Sequence, residues 1–236
     1  MLQGCRSGRI DTPILVPVID LRLPAVDVAP QLLGAVIRHT AVLADGTRGE
    51  VGIRLTEVEA YMGLDDPASH AFGGPTPRSA VMFGPPGHIY VYLSYGIHRC
   101  MNIVCSPDGQ ASAVLLRAGE VVIGKDLARA RRSARAAARG LPAARPLPAR
   151  RLASGPGNLG QALGAELTDS GAPLSQAAGA SPAPDGSLWT LEAPASPADH
   201  VTSTRIGISR NAEKPWRFAI PGDPTVSGHN TTGNHA

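Results

Sequence analysis

The sequence predicts an α+β fold, one domain built on a mainly antiparallel sheet with flanking helices. Three observations point there. HIYVYLSY (88–95) and IHRCMNIVCS (97–106) read as the two arms of a hairpin with Tyr95 and Gly96 at or near its tip. Strand and helix patterns do not follow the regular alternation of a parallel α/β sheet. No segment repeats another.

Taken in order, residues 1–10 read as a loose, flexible arm, and 11–227 as the folded domain. VDVAPQLLGAVIRHT (26–40) has helical spacing at Leu32, Leu33, Val36 and Ile37, blemished by Gly34. VGIRLTEVEAY (51–61) alternates as a strand, with Val51, Ile53 and Leu55 on one face; continuing the period of two puts Glu57, Glu59 and Tyr61 on that same face. A polar loop, LDDPASHAFGGPTPRS, leads to the hairpin. SAVLLRAGEVV (112–122) is a further strand and KDLARARRSARAAAR (125–139) a helix by propensity. SGPGNLGQAL begins a capped helix, and 168–200, rich in Pro, Ala, Gly and Ser, reads as irregular. TRIGIS (204–209) and WRFAIPG (216–222) supply late strands, and 228–236 reads as a disordered tail.

The chain has 236 residues, ample for a core, and an ordinary apolar fraction of 43%. Arg is used almost everywhere in place of Lys, which occurs only as Lys125 and Lys214. Three cysteines, Cys5, Cys100 and Cys105, are too few and odd in number for a disulfide scaffold, and they form no CxxC pair; buried thiols are the better reading. PILVPVI is short and broken by prolines, so neither a signal peptide nor a membrane span is expected, and the protein is read as cytoplasmic.

Four features carry chemistry. Alternate strand residues lie roughly 7 Å apart, which permits Glu57 and Glu59 an acid/base pair; alone, the spacing fits pairing of one or both with Arg better. Three of the chain's four tyrosines, Tyr90, Tyr92 and Tyr95, lie in HIYVYLSYG. Tyr90 fits simple packing, whereas Tyr95 at a turn has little to pack against and would suit a wedge between stacked bases. Arg117 is a charge among leucines, and placing it beside Glu59 would satisfy both residues. Lys125, Arg129, Arg131, Arg132, Arg135, Arg139, Arg145, Arg150 and Arg151 form a basic stretch opposed only by Asp126. It is either a solvated helix face or a phosphate-tracking surface.

These stretches resemble the alkyladenine (3-methyladenine) DNA glycosylases of the mammalian type. The matching segments are LLG (32–34), TEVEAYMG…ASHAFGG…TPR (56–78), MF…PPGHIYVYLSYGIHRCMN (82–102), AVLLRA (113–118), SGPGNLGQAL (154–163) and KPWRF (214–218). They run in order from about residue 30 to 226. The resemblance implies a single mixed α/β domain with a protruding hairpin that enters the DNA minor groove. It implies Glu59 as the general base that activates water and Arg117 as the group that helps hold that water. Tyr61, His70 and Tyr92 match the walls around an extruded base, and Tyr95 the side chain that takes its place in the duplex. Asn102 matches the residue that rejects normal guanine, and Glu57 has a counterpart that is not the base. His98 stands where the family often has an aromatic, and 168–200 does not align.

The activity so implied is monofunctional excision of alkylated or deaminated purines from double-stranded DNA, by a monomer without metal or cofactor, leaving an abasic site. A lyase would need an amine, and neither lysine is placed at the pocket by the resemblance. Two other classes are distinguishable by experiment: a damage-binding module would release no base, and a nucleoside hydrolase would prefer free nucleosides over duplex.

Overall fold

A computed structural model of the chain describes residues 17–138 and 147–228, with backbone alone for 135–138. The expected 1–10 arm, Cys5, Arg139, Arg145 and the tail from 229 lie outside the described residues, as does the Arg135 side chain.

The helix expected over 26–40 is reduced to α1 (Ala25–Val28) and one 3₁₀ turn, Ala29–Leu32. Pro30 has no N–H to donate, and Gly34 turns the chain out at φ +83. The β-branched Val36 and Ile37 then enter a strand, β1 (Val36–Val42), which pairs antiparallel with β2 (Arg48–Tyr61). The hairpin follows as β3 (Ile89–Ser94) and β4 (His98–Cys105), then β5 (Ser112–Ile123) and helix α2 (Lys125–Ala138). Beyond come β6 (Ala153–Ser154), α3 (Pro156–Leu163), β7 (Leu174–Ser175), β8 (Leu188–Glu192), β9 (Val201–Ser203) and β10 (Arg217–Ala219).

Among the described residues these strands make one ten-stranded sheet, with path β3-β4-β5-β2-β1-β8-β7; β6 pairs with β5, and β10 joins β2 to β9. The β7–β8 ladder is parallel and every other ladder among the described residues is antiparallel.

Two expectations for the C-terminal third do not hold. Segment 168–200 is not wholly irregular: after the Asp185-Gly186 turn, β8 alternates Leu188-Trp189-Thr190-Leu191 and pairs with β1. Trp189 and Leu191 are buried, and the Trp189 ring stacks on His39 at 3.8 Å between centroids. Nor is 204–209 a strand. Pairing stops at Ser203, because Arg205 turns inward to a buried partner and Gly207 takes φ +78.

Strand β2 organises everything else. Its first half pairs with β1 and its second half with β10, while β5 runs along its other edge. The β2–β5 register slips between Leu55 and Val58. Val51, Ile53 and Leu55 belong to the main core, and beyond the slip so do Val58 and Ala60. A bulge therefore reverses the alternation, and Glu57, Glu59 and Tyr61 face away from the core rather than along with Val51, Ile53 and Leu55. The main core also takes Leu32, Leu33, Ile89, Met101, Ile103, Leu116 and Leu159. Each fully buried Leu or Ile contributes about 1.5–3 kcal/mol. The opposite face carries a smaller cluster of Ala71, Met82, Tyr90, Val104, Ala111 and Ala113.

Helix α3 lies against β4 at close range. A Cβ on Gly160 would come within 2.2 Å of the Arg99 carbonyl oxygen, and one on Gly157 within 2.6 Å of the His98 ring, so these two glycines of SGPGNLG serve helix-to-sheet contact. No side chain caps the start of α3; its C-terminus ends at Gly164 in the left-handed region, with Gly164 and Ala165 N–H groups returning to Gln161 and Gly160. Arg131 of α2 donates to the last α3 carbonyls, Leu163 O at 2.6 Å and Ala162 O at 3.2 Å, where a cation also meets the negative end of the helix dipole. Arg132 bonds to Asn158 and Gln161, and Arg129 to Asp126. Arg131 and Arg132 thus clamp α2 onto α3, while Arg150 and Arg151 stay exposed.

Candidate active site

The face of β2 turned away from the core holds two fully buried carboxylates. Neither could stay charged there without partners. Arg117, from the neighbouring strand β5, serves both: Nε donates to Glu57 Oε1 at 2.8 Å, and Nη1 lies 3.2 Å from Glu59 Oε1. Arg117 does lie beside Glu59, as the sequence suggests, and its guanidinium fork also spans to Glu57 two positions earlier on the strand. Glu57 is further held by Arg217 Nε at 2.7 Å and by the Ser227 N–H at 2.5 Å. Glu59 accepts from the Ile206 N–H at 2.7 Å and the Tyr61 hydroxyl at 2.9 Å. Burial pushes the Glu59 carboxyl above the ordinary range, against the opposing pull of Arg117 and these two donors. Burial alone would weaken the Arg117 proton, but the charges of Glu59 and Glu57 overcome it and raise its pKa.

Above this pair opens a cavity of about 600 Å³ bordered by Tyr61, His70, Tyr92, Asn102 and Arg117. It joins the sequence-predicted residues into one place, with Glu59 directly beneath its floor. His70 meets Tyr92 edge-on, with centroids 4.5 Å apart and planes at 84°. Its Nδ1 is 3.0 Å from the Tyr90 hydroxyl, so Tyr90, itself buried in the smaller cluster, also fixes a wall of the cavity. Burial, aided by the Arg78 charge, lowers the His70 pKa to about 4, which leaves the ring neutral at pH 7. Asn102 donates its amide N–H to the Tyr90 carbonyl at 3.1 Å.

The β3–β4 hairpin projects at the cavity rim. Tyr95 (φ 49) and Gly96 (φ 69) are both left-handed, and the Ile97 N–H closes the turn on Ser94 O at 3.1 Å. Two consecutive positive φ angles are what a primed hairpin turn requires. Glycine takes this conformation freely, whereas a tyrosine does so at a cost of roughly 1–2 kcal/mol. Tyr95 is 86% exposed, so no packing offsets that backbone cost.

Sequence reasoning missed Asp66, Arg205, Arg217 and Ser227. Asp66 accepts two hydrogen bonds from Arg205, at 2.5 and 2.9 Å, with both side chains fully buried. The Arg205 guanidinium also lies over the rings of Tyr61 (4.6 Å) and Trp216 (5.0 Å) and donates to Ala60 O. A signal existed for Arg217: WRFAI places a charge inside an apolar strand, as AVLLRA does for Arg117. Nothing local marks Asp66 or Ser227, whose partners lie far along the chain. Among the described residues no group of three or more His, Cys, Asp or Glu could hold a metal ion, and no helix is long and apolar enough to cross a membrane.

Comparison with known proteins defines the class: an enzyme that acts on DNA and hydrolyses N-glycosyl bonds. The chain belongs to the methylpurine-DNA glycosylase (MPG) family, whose model matches residues 20–224, including the segment 168–200. It is 58% identical over 214 residues to a Cutibacterium acnes protein provisionally named 3-methyladenine DNA glycosylase, covering 91% of this chain and 100% of that protein. Proteins of Corynebacterium jeikeium (50% identity, 89% of this chain and 90% of that one) and Corynebacterium efficiens (49%, 89% and 94%) carry the same provisional name.

Proposed function

We propose that this enzyme excises alkylated or deaminated purines, 3-methyladenine among them, from duplex DNA by extruding the nucleotide into the cavity and hydrolysing its glycosidic bond with water activated by Glu59. The observation that carries this reading is the Glu59–Arg117 pair buried under a cavity walled by Tyr61, His70 and Tyr92. Alkylation at a ring nitrogen leaves the base cationic and a good leaving group. Electron-rich tyrosine faces attract such a base by about 1–2 kcal/mol once it is desolvated, and a neutral His70 does not oppose it. Arg117 keeps Glu59 ionised and helps hold the water. That water reaches Glu59 between Tyr61 and Arg117, displacing the Tyr61 hydroxyl from Oε2 so that the carboxylate can take its proton. Neither lysine borders the cavity, which favours water over an amine as nucleophile. The same reading makes the enzyme monofunctional, cofactor-free and monomeric, working on chromosomal DNA in the cytoplasm.

Base release from duplexes carrying single lesions tests the proposal. Release of at least one alkylated or deaminated purine is expected; retained binding with no release from any of them would make the protein a damage-binding module instead.

Tyr95 is proposed to occupy the space the extruded nucleotide leaves. Tyr95→Ser removes support for the open stack, worth a few kcal/mol per unstacked step. Release from a fully paired lesion should fall more than from a mismatched or single-stranded one, measured in single turnover; equal losses would remove the wedge role. Asn102 borders the cavity and is proposed to crowd the exocyclic amino group of guanine. Asn102→Ser should therefore raise release of guanine or 7-methylguanine relative to hypoxanthine, and an unchanged ratio would take that role from Asn102.

A further inference from the structure

The Tyr61 ring has a buried cation behind it. Arg205 lies over one face of the ring at 4.6 Å, fully excluded from solvent and absent from the cavity lining, while Tyr61 itself borders the cavity. A base stacking on Tyr61 must use the face that Arg205 leaves. Its charge would then sit roughly 8–10 Å from the guanidinium, with an aromatic ring and little water between. Two like charges in that arrangement would discriminate strongly against a cationic base, unless the protein cancels one of them. Asp66 is placed to do so. It is fully buried and takes both guanidinium Nη groups, and it is held by Asn211 Nδ2 at 3.1 Å and by the N–H groups of Ala68 and Met62. Arg205 also lies over the Trp216 ring at 5.0 Å, with Lys214 Nζ 5.9 Å from that ring. Another anion, Glu59, is hydrogen-bonded to the Ile206 N–H next along the chain from Arg205.

We propose that Asp66 is a specificity-determining residue that never touches the base: by neutralising Arg205 it leaves the Tyr61 face open to positively charged purines. The inference rests on the proposed function, in which Tyr61 is a wall for the extruded base. It goes further in naming a buried charge, outside the cavity, that sets the balance between cationic and neutral lesions. Glu59 and the 205–208 loop are shared by every substrate, so damage to them would lower all rates together. A displaced Tyr61 would cost a cationic base its cation–π attraction in both single variants alike, whereas an uncompensated charge moves the ratio in opposite directions in the two.

The test compares single-turnover release of 7-methylguanine, cationic while attached to its sugar, with release of neutral hypoxanthine. Asp66→Asn keeps the side chain's shape and removes its charge. The rate ratio, cationic over neutral, should fall on the order of ten-fold, from Coulomb repulsion at that distance and an effective dielectric near 20. Arg205→Met leaves the anion and removes the cation, and the ratio should move the other way. In the Asp66→Asn, Arg205→Met double variant it should return to within about three-fold of the parent value. Equal losses on both lesions in Asp66→Asn, or shifts of the same sign in the two single variants, would overturn the inference. If Asp66→Asn does not accumulate as folded protein, Arg205→Met decides alone, and an unchanged or lowered ratio there refutes the idea. Failure of the underlying function would look different, since the parent enzyme would then release neither base.

Discussion

Glu59→Gln is expected to bind a lesion duplex about as well as the parent enzyme and to release its base roughly 10²–10⁴-fold more slowly, the usual weight of a general base. The amide keeps the size of the carboxylate: its oxygen can still accept from the Ile206 N–H, while its NH2 donates to the Tyr61 oxygen instead of accepting from it. What it cannot do is take a proton from water. Glu57→Gln is the control. Its carboxylate is tied up by Arg117, Arg217 and the Ser227 N–H, so its loss should appear as lower stability, with the single-turnover rate within a few-fold. Because burial raises the Glu59 pKa, the acid limb of kcat/KM should lie above the ordinary glutamate range and vanish in Glu59→Gln. An inactive Glu57→Gln beside an active Glu59→Gln would reverse the two roles.

Arg117→Met is expected to destabilise the fold by about 3–5 kcal/mol at pH 7, because it strips a shared partner from two buried carboxylates. For a domain of this size that is a fall in Tm of roughly 6–20 °C. The sign of the pH dependence follows from Glu59. Its folded pKa is raised, so it binds its proton more tightly folded than unfolded, and stability falls as pH climbs from the unfolded to the folded value. Without Arg117 only the Ile206 N–H and the Tyr61 hydroxyl oppose that burial, so the shift grows. The deficit of the variant should therefore narrow as pH is lowered from 7 toward 5. Further acidification should unfold parent and variant alike as Asp66 fails. Burial alone would raise the Asp66 pKa, but its bonds to Arg205 and Asn211 outweigh this and lower it, so its contribution is lost only as pH drops through that depressed value. Thermal melts across this range check the prediction; a deficit that widens in acid would contradict it.

The parts of the fold readable in sequence were those set by local pattern. The hairpin, β5 and α2 show their period or their helix formers within a dozen residues. Trp189 was equally readable from the Asp185-Gly186 turn and the alternation after it, but its Pro- and Ala-rich surroundings masked the strand. The helix expected over 26–40 failed because Pro30 and Gly34 overrule apolar spacing. In the site, Arg117 announces itself as a charge among leucines and Tyr95 as an aromatic beside a turn glycine. His70 and Asn102 do not, since a loop histidine and a strand amide look the same whether or not a cavity adjoins them; for these two, only the family resemblance pointed to the site. Arg205 and Asp66 stand 139 positions apart, and no local window can join them.

The slip between Leu55 and Val58 makes this protein's chemistry a matter of odd and even. A run of residues in an unbroken strand is sorted to two sides by counting alone, and here the count restarts midway. Deleting one codon from Thr56–Glu57 could leave the ladder hydrogen-bonded and every other side chain intact. It would nonetheless turn the following carboxylate toward hydrocarbon and a valine toward the cavity. Codon gain or loss in 55–58 should therefore behave as an all-or-none lesion, even where ordinary point changes are tolerated. The surface turn at 43–47 should accept insertions freely. A scan of single-codon insertions and deletions along β2 would show the reading frame of the site as a sharp step in activity.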